Sequence, residues 1–453
     1  MALIELDLTA QPDRTPGSRP PARRYRVPGL LLAAVLLLTA GGAAPVVPVL
    51  WRYLGEVPAP GVPAAPFALA GGRVYTSSAG AERVTTAWSL TEPPRRLWSA
   101  RLPSPDSAEP DDYSWGGPEV VPAGAVVVLG TGRDTTVVDA VTGAVRWTAK
   151  KPLTPLSDGR TALTLDHVFR AGTRYDQASG APGQLYFSAT GEPHTEPPLR
   201  TELHGVDLGS GRTLWTVTAA GSVNVMVVPG AKPAVLLLSS DRLRRIDGAT
   251  GAVVRNVPLP AVDGDGPSEG ELIDGLIMVH YGRDGVVRHE VAYDPETLER
   301  RWSHAVPETM LDAAHCGDLL CLGGRHTLDV LDPRTGVARW RAPADVDLIR
   351  SGDYVLELGS DSGVSVRLVD PATGATRVDL AGWRGEVVGS AGGPIVLRRS
   401  LDAGASAFGV VLPRHDAVQP LGVTGDPISD CTSDEHYVTC RADDGLRIWA
   451  YRA

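Results

Sequence analysis

Asp332-Pro-Arg-Thr-Gly336-Val-Ala-Arg-Trp340 follows the apolar run Leu328 to Leu331, and the same grammar stands at Asp139-Ala-Val-Thr-Gly143 to Trp147 and Asp207-Leu-Gly-Ser-Gly211 to Trp215. An apolar stretch ends on Asp, a Gly closes the turn, and a Trp stands in the segment that returns. The Asp carboxylate can accept hydrogen bonds from backbone N–H groups two residues on, and Gly supplies the positive φ that closes a hairpin. The stretches before the Asp, such as Thr136-Val-Val138, Val291-Ala-Tyr293 and Ser365 to Val369, read as short half-buried strands. A Trp at a fixed offset is large enough to cover the gap between neighbouring sheets.

Degenerate copies keep the spacing. Asp247 and Gly251 lead to Arg255 in the Trp position, Asp370 and Gly374 lead to Val378, and Asp294 keeps Trp302 with Leu298 in place of Gly. Leu90 to Trp98 and Pro413 to Leu421 are weaker copies, and Tyr451 marks a ninth position cut off by the chain end. The anchors fall at 90, 139, 207, 247, 294, 332, 370, 413 and 451, most of them 38 to 49 residues apart. That interval suits four short strands with tight turns. Units of this kind repeated radially form a β-propeller. The long interval from 139 to 207 holds the stretch 172–198, rich in Gly and Pro, which reads as an insertion on one rim. Amphipathic helical patterning is nearly absent after residue 50. The last segment, 428–453, supplies three strands, and Val49-Leu-Trp51-Arg-Tyr-Leu54 reads as an orphan fourth. Pairing the two would close the ring between the chain ends.

The D-x-x-T-G-x-x-x-W unit resembles the quinoprotein, or PQQ-enzyme-like, propeller repeat, which also builds BamB-type envelope assembly proteins. The resemblance extends over about residues 50–453; the Gly-His and Trp-Asp signature of WD40 repeats and the paired glycines of kelch repeats are missing. It implies an all-β propeller of eight four-stranded blades, whereas strict counting of the anchors gives nine; eight is the expectation and nine the alternative. For an enzyme it would also imply a calcium site of Glu, Asn and Asp beside the quinone, and often a disulfide between adjacent Cys. This chain has only Asn224 and Asn256 and no vicinal Cys pair, so no cofactor, no metal site and no catalytic residue is expected.

Composition narrows the partners. The formal net charge is −10, with Lys150, Lys151 and Lys232 the only lysines. Residues 1–26 hold five Arg against three acids, so the remainder carries −12 (−10 minus +2). An acidic body lacks the basic footprint that phosphate contacts need, which argues against nucleic acid.

Residues 27–50 carry no charge and follow Arg19, Arg23, Arg24 and Arg26. Basic residues on that flank predict a cytoplasmic tail over 1–26, a transmembrane anchor over 27–50 and an exported propeller over 51–453. The alternative is a cleaved signal, with Leu30 to Leu38 as its apolar core. No Cys precedes Cys316, so a lipid-anchored form is excluded. The four Cys form two local pairs, Cys316 with Cys321 and Cys431 with Cys440, each across an expected hairpin. Four Cys permit three connectivities; disulfides within the local pairs are expected, with buried thiols and crossed pairing as the alternatives.

Other motifs carry little chemistry. Asp263-Gly-Asp-Gly266 with Glu269 and Glu271 could offer oxygen ligands to Ca²⁺ but lacks the full loop pattern, and reads as a solvated acidic turn. His280, His289 and His304 share one expected blade, where strand and rim positions explain them. No G-x-S-x-G elbow or phosphate-cradling loop is present. The loop 104–118, with Asp111-Asp-Tyr-Ser-Trp115, and the insertion 172–198 are the candidate contact segments. The expected function is therefore a membrane-anchored, extracytoplasmic, non-catalytic scaffold that binds a protein or glycan of the cell envelope. A PQQ-dependent dehydrogenase-like enzyme and an extracytoplasmic sensor head are the alternatives.

Overall fold

A computed structural model describes residues 51–59, 66–78, 83–102, 119–131, 133–181, 183–283, 286–306, 316, 319–323, 327–360, 362–384, 393–443 and 445–452. The chain divides into two compact units, 1–49 and 50–453. The first unit, with the expected tail and nearly all of the expected anchor, lies outside the described residues, as does the loop 104–118. Among the described residues no helix is long and apolar enough to cross a membrane. The two helical segments among the described residues are single turns, Gln177–Ser179 and Asp402–Gly404.

The repeat folds as read. Blade 1 runs from strand Phe67–Ala70 to Arg96–Leu102, blade 2 from Glu119–Ala123 to Val145–Ala149, and blade 3 from Thr154–Pro155 to Thr213–Ala220. Blade 4 runs from Asn224–Val228 to Val253–Pro258, and blade 5 from Pro267–Ile273 to Arg300–Ala305. Blade 6 runs from Cys321–Gly323 to Ala338–Pro343, blade 7 from Val346–Ser351 to Thr376–Asp379, and blade 8 from Ile395–Ser400 to Gln419–Thr424. Blade 9 begins at Ser429–Ser433 and takes its fourth strand, Trp51–Val57, from the other end of the chain, paired antiparallel to Gly445–Tyr451. Blades 6 and 8 have three strands among the described residues, and the others have four.

The count corrects the expectation of eight blades. Each of the nine anchors, the degenerate copies at Leu90 and Pro413 included, belongs to a sheet of its own. A degenerate turn still makes a hairpin, because the alternating apolar strands around it are intact. Buried clusters alternate with the sheets around the ring. One joins Trp98 of blade 1 to Leu129 of blade 2, and another joins Leu446 and Ile448 of blade 9 to Val74 of blade 1. Apolar surface is thereby buried on both faces of every sheet, which is the main stabilising term.

The path of the chain fixes what faces where. Phe67–Ala70 approaches both Glu119–Ala123 and Ser429–Ser433, and Asn224–Val228 approaches Pro267–Ile273, so the first strands lie nearest the axis. Successive strands are antiparallel. The turns between strands 1 and 2 and between strands 3 and 4 therefore share one face of the ring, and those between strands 2 and 3 share the other.

Trp and Gly meet between blades. Trp98, Trp147, Trp215, Trp302 and Trp340 lie over Gly143, Gly211, Gly251, Gly336 and Gly374 of the following blade, where a Cβ would stand 2.6–2.7 Å from the indole. Each indole Nε1 donates to the carbonyl one residue after that blade's anchor: Ala140, Leu208, Gly248, Pro333 and Pro371, at 2.8–3.1 Å. The Asp carboxylates behave as expected. Asp139 Oδ1 accepts from the N–H groups of Val141 (3.0 Å) and Thr142 (2.9 Å).

Three of the four junctions without this pair substitute for it. Between blades 4 and 5 both members change, to Arg255 and the buried Leu298 (φ +60°). There Arg245 Nε donates to the Pro295 carbonyl at 3.0 Å, the position that a Trp indole takes elsewhere. In blade 8 the strand bulge falls at Leu421, so Gly422, not Leu421, occupies the Trp position, with Trp51 of blade 9 against it. In blade 9 the bulge aligns Gly55 with the Trp position, and Pro94 of blade 1 packs onto it. Tyr451, the ninth anchor, is buried at the end of the third strand of blade 9, opposite Trp51.

Candidate functional site

The insertion leaves blade 3 between strands Thr161–Val168 and Arg200–Asp207, on the face that carries the turns between strands 2 and 3. It packs on itself. His194 stacks on Phe169 with ring centroids 3.7 Å apart, Thr173 Oγ1 lies 3.1 Å from His194 Nδ1, and the Tyr175 hydroxyl donates to the Gly180 carbonyl at 2.7 Å. A short ribbon pairs Tyr186–Phe187 with Pro193–His194. Arg133 of blade 2 donates to the Thr190 carbonyl at 3.2 Å and ties the insertion to its neighbour. Phe187 (54 %) and Leu199 (52 %) remain exposed. An ordered excursion with apolar side chains held outward is suited to contact, because little conformational entropy is left to lose on binding.

The opposite face holds a cavity of about 450 Å³ at blades 6 to 8. Arg339, Arg350, Arg377 and Arg414 line it with Asp353, Tyr354 and Asp370. Here the outer-strand bulges matter, because each re-aims the residue before the Trp position. In blades 2, 5, 6 and 7 that residue is Arg146, Arg301, Arg339 or Arg377, and it reaches Oδ2 of its own turn Asp. These contacts lower the carboxyl pKa values: Asp294 falls to about 2, chiefly through Arg301, and Asp332 falls chiefly through Arg339. A second cavity of about 410 Å³ shares Arg350 and is otherwise lined by Val228, Pro229, Leu272, Asp274, Gly275 and Pro295.

The cluster in blade 5 is held by charge pairs. His280 lies between Glu271 (3.4 Å) and Glu290 (3.5 Å). Burial opposes its charge, but the two carboxylates outweigh that and raise its pKa to about 9. His289 lies 3.3 Å from Asp263, and His304 Nε2 is 2.5 Å from the Gly336 carbonyl. The acidic turn is not solvated throughout: Asp265 is 2 % exposed and bridges Arg283 (2.6 Å) and Arg288 (3.6 Å). Its negative charge is met by guanidinium groups, and among the described residues no group of three His, Cys, Asp or Glu is placed to hold a metal.

Cys316 is bonded to Cys321 and Cys431 to Cys440, with Cα atoms 6.3 and 4.1 Å apart. The second bridge spans adjacent strands of blade 9; the first joins the start of blade 6 to the residues leading into it. Asn224 lies on the first strand of blade 4 and Asn256 on its fourth, so the two are not brought together, and the calcium set of the quinone enzymes does not fit this pair. The insertion was legible as an excess of length. The arginine cavity was not, because its residues come from three blades and are ordinary strand and turn positions in sequence.

Among solved structures the chain is similar to BamB from Moraxella catarrhalis (12 % identity, 88 % of this chain and 98 % of that one, TM-score 0.38). It is also similar to the dihydro-heme d1 dehydrogenase NirN in complex with DHE (13 % identity, 80 % of this chain and 77 % of that one, TM-score 0.42). No curated protein matches the sequence. The model of the family described as outer membrane protein assembly factor BamB matches residues 200–451, more than half of the chain, across blades 3 to 9. With that repeat observed blade by blade, the chain belongs to the PQQ/BamB-like β-propeller family.

Proposed function

We propose that this protein is a non-catalytic interaction scaffold of the cell envelope, anchored through residues 27–50 with its propeller on the extracytoplasmic side. The observation that carries the reading is the insertion of blade 3, pinned to blade 2 through Arg133 and presenting Phe187 and Leu199 outward. Membership of the BamB-like family supports a role in protein contact, and the two disulfides are in keeping with an oxidising compartment. The partner is a protein or glycan of the envelope.

Crosslinking of the full chain in its native envelope, followed by identification of the captured material, tests this. Phe187→Ser with Leu199→Ser should leave melting unchanged, since both side chains are exposed, and should abolish capture. Undiminished capture by that variant would remove the insertion as the contact, and absence of any captured partner with the unaltered chain would remove the scaffold reading.

A further inference from the structure

We propose that the arginine-lined cavity at blades 6 to 8 is a second contact site, which takes an extended peptide of a partner protein through its carboxylates. This rests on the scaffold reading above but uses the other face of the ring.

The four guanidinium groups come from three blades and are already arranged on carboxylates. Arg339 holds Asp332 through two bonds (3.1 and 2.8 Å), Arg377 holds Asp416 (2.6 Å), Arg414 lies 3.5 Å from Asp353, and Arg350 reaches Asp274 of blade 5. A planar guanidinium matches a carboxylate better than an ammonium does. The wall carries four Arg against Asp353 and Asp370, a local departure from an acidic body. With Asp274, Asp332 and Asp416, which these guanidinium groups already hold, the carboxylates outnumber the arginines by one, five to four. A standing field strong enough to collect anionic lipid or nucleic acid is therefore missing. What the site offers is exchange, one carboxylate for another.

The exchange point is Arg414. Its side chain is 88 % exposed, its partner Asp353 is 53 % exposed, and its backbone is left-handed (φ +63°). A non-glycine residue is strained in that conformation, and such positions cluster at functional sites. Arg350 belongs to both cavities, so an apolar wall of Val228, Pro229, Leu272 and Pro295 continues from the arginines. A ligand with carboxylates beside an apolar group fits both, which selects a peptide over an inorganic anion.

Fluorescence anisotropy of the full chain in detergent tests this with a labelled synthetic peptide, a Leu followed by an Asp-rich segment, against its Asn counterpart. The Asp peptide should bind and the Asn peptide should not. Arg414→Gln should weaken binding about tenfold, one charge-assisted contact, and Asp353→Asn should tighten it by removing the internal competitor. Both variants should melt like the parent. No binding of the Asp peptide, or equal binding by the parent and Arg414→Gln, overturns the site. So does binding to phosphatidylglycerol vesicles that the Asp peptide fails to compete away. None of these outcomes touches the scaffold reading, which is decided by capture through Phe187 and Leu199 on the opposite face.

Discussion

Trp340 of blade 6 lies over Gly374 of blade 7: a methyl group on that glycine would stand 2.6 Å from the indole, and the indole N–H donates to the carbonyl of Pro371 at 3.0 Å. The contact is both a packing seam and a hydrogen bond, so the two blades are fixed in distance and in height. Trp340 is 9 % exposed. Trp340→Ala should cost about 3–5 kcal/mol. Gly374→Ala should also destabilise, since its φ of +67° and the indole both exclude a side chain. Urea unfolding measures both, and an unaltered midpoint in either would refute the seam.

Arg245 replaces the indole donor at the junction of blades 4 and 5. Its guanidinium also meets Glu296 at 2.7 Å, but Glu296 is largely exposed. Arg245→Ala should therefore cost about 1.5–3 kcal/mol through the lost bond to the Pro295 carbonyl. Glu296→Ala should cost less than about 1 kcal/mol. Equal losses in the two variants would show that the ion pair, not the carbonyl contact, holds the junction.

His280 makes stability depend on pH. Its pKa is raised from 6.5 to about 9 in the folded protein, so its contribution is fully present below pH 6.5 and is lost as pH rises toward 9. His280→Gln should lower stability by about 1–3 kcal/mol at pH 6, leaving Glu290 buried without its cation. It should also flatten the decline between pH 6.5 and 9. A decline of the same slope in the variant would assign the effect to another group.

The disulfides enclose short loops, with sequence separations of 5 and 9. In the chain-entropy model each contributes about 2–3 kcal/mol. Peptide mapping without reductant should link Cys316 to Cys321 and Cys431 to Cys440, and reduction should lower the melting temperature while the ring stays folded. Global unfolding under mild reductant would contradict the many buried clusters that hold the blades together.

Topology is open to direct measurement. Protease added outside intact cells should reach the propeller and leave residues 1–26 protected, as the basic flank of the apolar segment predicts. Protection of the C-terminus instead would overturn the assignment of the extracytoplasmic side.

The recurrence of Asp, Gly and Trp determined the architecture from sequence alone, because each unit is local: strand alternation, an Asp-centred turn and a returning strand all lie within about forty residues of chain. The same locality made the two Cys pairs and the insertion readable. Closure was legible too, since Trp51 and its neighbours were a strand without a sheet. The blade number was written in the anchors, and only the habit of the resembling family pulled the expectation to eight.

What the chain could not reveal is what each repeat does to the next. That Trp340 covers Gly374, that Arg245 stands in for an absent indole, and that Gly55 and Pro94 reverse the usual order at the closing junction are contacts between units. They depend on how far each sheet is rotated against its neighbour. The arginine cavity is of the same kind. Arg339, Arg377 and Arg414 each read as an ordinary position of its own blade, and Arg350 reaches from blade 7 to Asp274 of blade 5. Sequence spacing encodes the turn that presents a side chain; only closure of the ring decides which side chains from distant turns share one space.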